Sequence, residues 1–302
     1  MDALAKPAAA AIVGEHQAPG QLFGRTKKPT GSLVAAQRQI GVMGAALKHP
    51  AGQAGSTVAD VNIDRTAYAR PVGVTGCWLT LIGGGGGGGG AIVYRSWIPV
   101  ADLGAIYYVM RGMHGAAGAD GTASTFTSGG ISITANGGTK GTNGSNGGAG
   151  DAGVGGTVTV IGITVTSASG MNGGAGCDGT GNNATAGTDS TYPGGGAGGG
   201  GGGGRNGLAT QKYPGANGGS APNAPGGAGG TRTSGSGQAG RSNPGNPGGG
   251  GGGGGMVNGN NSGTNGGVGG SSGAGGGGSS GGDSAGFGAP GSDGWTIIEW
   301  AT

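Results

Sequence analysis

The sequence predicts a mostly β fold with a left-handed polyglycine-II helix bundle, short β-strands flanking the glycine helices, and an extended, helix-poor N-terminal arm. Three observations carry that expectation. Glycine supplies 90 of the 302 residues. It recurs at every third position through several stretches, the repeat of a helix with three residues per turn and ~3.1 Å rise. Short runs rich in Val, Ile, Thr, Tyr and Trp, the residues that favour strands, separate those stretches.

Hydrophobic residues make up 33% of the chain and aromatics 4%, against an apolar share of ~45–50% in average globular domains. An ordinary large side-chain core is therefore excluded, and no run approaches the ~20 apolar residues that span a bilayer. Two cysteines, Cys77 and Cys177, provide no disulfide framework. They are read as small buried residues or as one bridge. The short Ala stretch interrupted by Pro7 makes a poor export signal.

Composition divides the chain into an attachment or assembly arm, 1–76, and a glycine-rich domain, 77–302. The first 80 residues hold 10 glycines and eight Lys/Arg against four Asp/Glu, a net of +4; the rest hold 80 glycines and a net of −1. Leu33, Val34, Arg38, Ile40, Met43 and Leu47 form a rough helical stripe weakened by Gly41 and Gly44. The only basic cluster is Arg25, Lys27 and Lys28. It lacks the interleaved aromatics of a nucleic-acid surface, so no nucleic-acid partner is expected. A segment with so little core of its own orders by packing on a partner.

Strands are expected at 77–82, 91–100, 105–111, 131–135, 157–166 and 295–300. Within 157–166, Thr157-Val158-Thr159-Val160 and Ile163-Thr164-Val165-Thr166 alternate with the period of a half-buried strand. Between these runs lie the period-three glycines, such as Gly138, Gly141, Gly144, Gly147, Gly150, Gly153 and Gly156. Each helix would carry one bare backbone face, with Ala, Thr, Asn and Ser turned outward. Tracts 83–90, 194–204 (broken only by Ala197) and 248–255 lack side chains on every face, which places them inside the bundle as straight helices. An eight-residue tract would then be ~25 Å long. Collagen is excluded by the repeated breaks in the period and by only 13 prolines.

Four passages resemble the glycine-rich domain of bacteriophage tail proteins. They are Leu79-Thr80-Leu81-Ile82 followed by the octaglycine 83–90, Tyr107-Tyr108-Val109-Met110-Arg111-Gly112-Met113-His114-Gly115, residues 122–126 before Thr134-Ala135-Asn136-Gly137-Gly138, and Gly294-Trp295-Thr296-Ile297-Ile298-Glu299-Trp300. The likeness runs to minor tail proteins of long-tailed phages of actinobacteria and, in glycine architecture, to tail-fibre tip adhesins. It covers about residues 77–302. It implies a polyglycine-II bundle edged by strands on a virion assembled in the host cytoplasm, with variable loops facing the host. The implied partners are other tail proteins through 1–76 and a bacterial cell-envelope glycan or protein. A homo-oligomer, by analogy with phage fibres a trimer, is also implied, with no membrane insertion.

No catalytic constellation is visible, so no enzyme and no cofactor are expected. His16, His49 and His114 lie far apart without metal-ligand spacing. Matches to dinucleotide-type glycine motifs carry no information in so glycine-rich a chain. Asp120, Asp151 and Asp178 stand in turn contexts, where Asp caps its own backbone; that reading outweighs a Ca²⁺ role. The loops 178–192, 205–213, 231–246 and 256–265 concentrate Asn, Thr, Ser, Arg and Tyr, suited to adaptable polar recognition. Tyr192, Arg205, Tyr213 and Arg241 are the receptor-contact candidates. The alternatives are a purely structural tail part, whose loops are only turns, and an ice-binding or cell-surface glycine-rich protein. An ice-binding protein would need a flat row of Ala or Thr and a secretion signal. Trp78, Trp97, Trp295 and Trp300 are expected to pack strands, although an exposed indole face could also stack on a sugar.

Overall fold

A computed structural model describes residues 58–142, 150–177, 183–191, 195–203, 213–231, 235–243, 246–254, 264–280 and 288–302. They belong to one compact unit, Ala54–Thr302. The helical stripe at 33–47 lies outside the described residues.

Among the described residues, ten strands form two antiparallel five-stranded sheets. In chain order they are β1 (Val58–Val61), β2 (Arg65–Ala69), β3 (Gly76–Ile82), β4 (Ile92–Pro99), β5 (Ile106–Met110), β6 (Ser124–Ser128), β7 (Ile131–Ala135), β8 (Val158–Ile161), β9 (Ser167–Ala168) and β10 (Trp295–Ala301). One sheet runs β1-β10-β3-β4-β9 and the other β2-β5-β6-β7-β8. The only helical element among the described residues is a 3-10 turn, Val100–Asp102.

The sheets face each other across the one substantial apolar core among the described residues, and strand alternation sets which residues enter it. Cys77, Leu79, Leu81, Val93, Ile98, Ile298 and Trp300 come from the first sheet. Tyr107, Val109, Phe126, Ile131, Ile133 and Ala135 come from the second. Both cysteines are buried and neither is in a disulfide, and burial pushes the Cys77 thiol up to about 12. At one edge the Tyr107 hydroxyl donates to Asp60 Oδ2 at 2.6 Å, and Asp60 pairs with Arg65 at 3.1 Å. This clip joins β1 of one sheet to β2 and β5 of the other. Burial, and then the bond to Asp60, raise the phenol's pKa. Thus β1 and β2, which composition assigns to the arm, are strands of the sandwich.

The expected strands at 77–82, 91–100, 105–111, 131–135 and 295–300 coincide with β3, β4, β5, β7 and β10 within a residue or two. The expected continuous run at 157–166 is corrected. Gly162, at φ 83°, ends β8 in the second sheet, and the chain crosses to pair as β9 in the first. Ile163 and Val165 pack on the core without a strand of their own. β6 reads as polar in sequence, yet Ser124 and Ser128 face inward and are buried. Ser124 Oγ donates to the Ile82 carbonyl and accepts from Gly112 N–H, while Ser128 Oγ donates to the Ile106 carbonyl and accepts from Gly104 N–H.

The connections β3–β4, β5–β6, β7–β8 and β9–β10 all leave the same end of the sandwich and are all glycine-rich. Their backbones bond segment to segment, both within one connection and between connections. In the segment 195–203, the N–H groups of Ala197, Gly200 and Gly203 donate to Gly248, Gly251 and Gly254; those of Gly196 and Gly199 donate to Gly90 and Gly87; and those of Gly198 and Gly201 donate to Thr188 and Thr185. Its carbonyls at Gly196, Gly199 and Gly202 accept from Met171, Gly174 and Cys177; those at Ala197 and Gly200 accept from Gly275 and Gly278; and those at Gly198 and Gly201 accept from Gly219 and Ala216. Every partnership advances in steps of three. The segment 248–254 repeats the pattern with 197–203, 216–219, 227–230, 238–241, 267–270 and 275–278.

The octaglycine 83–90 departs from the expected straight segment. Gly83 N–H donates to the Ala91 carbonyl and Gly86 N–H to Gly88, so the tract goes out and returns to the sheet within eight residues. Both of its ends are held by the β3–β4 pair, and no eight-residue rod could rejoin Ile92 beside Ile82.

Side chains are excluded where these backbones meet. A Cβ at Gly199 would overlap the Gly276 carbonyl oxygen, and one at Gly86 the Gly138 carbonyl oxygen, whereas one at Gly130 would meet nothing within 4 Å. Gly86→Val and Gly199→Val are expected to cost more than about 3 kcal/mol and to abolish soluble, folded protein. Gly130→Ala is expected to leave the thermal melt nearly unchanged. Tyr107→Phe, which removes the hydroxyl from Asp60, is expected to cost about 1.5–3 kcal/mol in denaturant unfolding.

Candidate functional site

The register of the glycine segments gives each a direction. Gly196 pairs with Gly90, which adjoins β4, and Gly199 pairs with Gly87, farther out. Residues 195–203 therefore run away from the sandwich. The bonds made by 171–177, 248–254 and 274–280 run parallel to it, and those made by 183–188, 213–219 and 288–292 run antiparallel to their outgoing neighbours. The described parts of outgoing segments reach residues 142, 177, 203, 231, 254 and 280, and the described parts of incoming ones resume at 150, 183, 213, 235, 264 and 288. These ends gather on the side of the bundle opposite the sandwich. Val58 pairs with Trp300, and Ala301 with Gly76. The first and last strands therefore start and finish at the far end of the sandwich from the glycine segments.

Of the four candidate contact residues, Tyr192 and Arg205 lie outside the described residues, as does Asp178. Tyr213 opens the incoming segment 213–220 and is 4% exposed, so little of its side chain is offered to a partner. Arg241 is exposed, but its backbone bonds to Pro225 and Gly249, near the sandwich end of the segments. The Tyr213 backbone lies against Gly203, which bonds to Gly254. The stretch from 249 to 254 therefore separates Tyr213 from Arg241, and they form no common site.

Polar side chains at the rim do work that sequence reasoning missed. Where an N–H has no glycine partner, a side chain from the adjacent segment accepts it. Thr139 Oγ1 takes Val154 N–H at 2.8 Å, Asn172 Oδ1 takes Gly155 at 2.9 Å, Thr185 Oγ1 takes Ala175 at 2.7 Å and Asn217 Oδ1 takes Gly229 at 2.9 Å. Asp120 and Asp189 do the same for Lys140 and Ser220. Asp120 thus caps a neighbouring segment rather than its own turn, and Asp151 accepts from Thr142 Oγ1. The clue in the sequence was the recurrence of Thr and Asn beside period-three glycine.

Among the described residues, a charged cluster sits where bundle and sandwich meet. Asp293 Oδ1 accepts from His114 N–H at 3.0 Å and lies 2.6 Å from His114 Nδ1, while Arg111 approaches Oδ2 at 3.6 Å. Partial burial disfavours the carboxylate, but the His114 hydrogen bonds and the Arg111 charge outweigh it and hold the pKa below its ordinary value of 3.8. Among the described residues, no group of three or more His, Cys, Asp or Glu could hold a metal ion.

Comparison with protein-family models finds no match to the chain. Comparison with curated proteins likewise finds none.

Because the folded carboxyl titrates below its ordinary value, its stabilisation is complete above that value and is lost as the pH falls through the depressed one. Asp293→Asn should therefore lower the melting temperature at pH 7, and the gap from wild type should narrow as the pH is taken below 3.8. Paired thermal melts across that range check the sign.

Proposed function

We propose that the chain is a structural component of a phage virion tail, a minor tail, tail-tip or fibre protein. Its glycine segments form left-handed polyglycine-II helices, and the loops at their outer ends recognise a host-surface receptor. The observation that carries this reading is the three-residue step of backbone bonding between segments of alternating direction, as packed three-fold helices require. The hand is supported by φ angles. No described glycine in 195–203 or 248–254 adopts a positive φ, whereas Gly118, Gly129, Gly162, Gly235 and Gly273 do so outside those tracts.

Such a bundle is a stiff support on which loops vary without disturbing what holds them. The loops around Tyr192 and Arg205 are the proposed contacts, with Tyr213 as the buried foot of one of them. The far end of the sandwich, where β1 begins, suits attachment of the residues that precede β1 to other tail proteins or to copies of the chain. The proposed receptor is a bacterial cell-envelope glycan or protein. The second reading, a rigid assembly part without receptor contact, draws on the same stiffness.

The test is binding of the tagged full-length chain to intact actinobacterial cells and to phage-resistant derivatives. Saturable binding that disappears in resistant cells, and changes when loop 205–213 is exchanged, is the expected outcome. Antibody labelling of phage tails without any cell binding would leave the structural reading alone.

A further inference from the structure

The outer face of the first sheet carries a group of side chains that neither the core nor the glycine segments use. Trp78 and Trp97 are directly opposite on β3 and β4, with ring centroids 5.1 Å apart and planes inclined at 55°. Gly76 lies beneath Trp97, and a Cβ there would collide with the Ile98 carbonyl oxygen and with the indole. The missing side chain thus lets the ring lie down along β3 while 36% of Trp97 stays exposed. Beside the rings, Arg95 stands 4.8 Å over Trp78 and its Nε donates to Glu299 Oε2 at 3.2 Å. Both charged side chains remain accessible, at 52% and 31%.

Arg95 is placed there at a backbone cost. It sits at the irregularity between Leu79 and Leu81 in the β3–β4 register, with φ 34°, a region that side-chain-bearing residues rarely adopt. Its N–H, displaced from the ladder, is taken by Thr80 Oγ1 at 3.2 Å. Strain of this kind is held at functional positions more often than elsewhere.

We propose that this face binds a pyranose sugar of a surface glycan. An apolar C–H face of the ring would stack on Trp97, and neighbouring hydroxyls would bridge to the Arg95 guanidinium as donor and the Glu299 carboxylate as acceptor. Guanidinium offers only donors and carboxylate only acceptors, so the pair reads a vicinal diol, whose hydroxyls do both. A second copy of the chain is a poorer occupant. Of the ~150–250 Å² of an aromatic side chain, at most 36% is open on these indoles, so even the four from two copies fall well short of the ~1,000 Å² total that a specific protein interface buries. The site is separate from the outer-end loops and does not depend on them.

The test uses full-length protein passed over immobilised oligosaccharides ending in glucose, galactose, mannose, rhamnose or N-acetylglucosamine. Trp97→Ala, Glu299→Gln and, on the other sheet, Tyr108→Ala are run in parallel. Retention of at least one sugar is expected, weakened tenfold or more by Trp97→Ala and by Glu299→Gln at unchanged melting temperature, and unaffected by Tyr108→Ala. No retention, or retention that survives both substitutions on the first sheet, overturns the proposal. Exchanging loop 205–213 should leave sugar retention intact whatever it does to cell binding, which keeps the two readings distinguishable.

Discussion

A buried N–H or C=O must be paired, and in the glycine segments the partner is almost always the backbone of another segment. That pairing demands that main chains touch, and a single Cβ at most of these positions would fall on a carbonyl oxygen. Glycine is therefore not a filler here but the condition for the bonds. The same residue loses the most conformational freedom on ordering, about 1–2 kcal/mol of backbone entropy per residue, against a net ~0.5–1.5 kcal/mol per hydrogen bond. The segments stand close to balance on these terms. Their stability depends on being bonded on all sides at once and on having their ends held.

The sandwich holds those ends. Its side-chain core draws on short strands such as Leu79-Thr80-Leu81-Ile82 and Trp295-Thr296-Ile297-Ile298, and returns the chain to the same end after each excursion. The Asp60–Tyr107 bond and the Asp293–His114 contact pin the margins. The long excursion between β9 and β10 is stitched at its rim by Thr, Asn, Ser and Asp side chains that accept the N–H groups glycine leaves over.

The clean period-two run 157–166 hid the break at Gly162, whereas β3, β4, β5, β7 and β10 were legible because they concentrate Val, Ile, Tyr and Trp between glycine-rich stretches. β6 was not, since its inward serines are polar residues satisfied by backbone groups at the two ends of the core. β1 and β2 escaped notice because their key inward group is a carboxylate, Asp60, held by a phenol and a guanidinium from more than one strand. The period-three glycines indicated which stretches bond to one another, but not direction. Nor did they reveal the reversal at 86–88, set by the spacing of β3 and β4. Of the candidate contact residues, Tyr213 stands in a stretch rich in polar residues, yet the fold buries it to 4% exposure.

The three-residue register also governs how such a protein can change length. Adding one residue to an interior segment would turn every later donor toward a different neighbour, much as a single inserted base shifts a reading frame. Adding three would restore each bond one level farther out. Lineages of this architecture would then keep the lengths of their interior columns in multiples of three, and the phase of each insertion would record which parts of the chain belong to such columns.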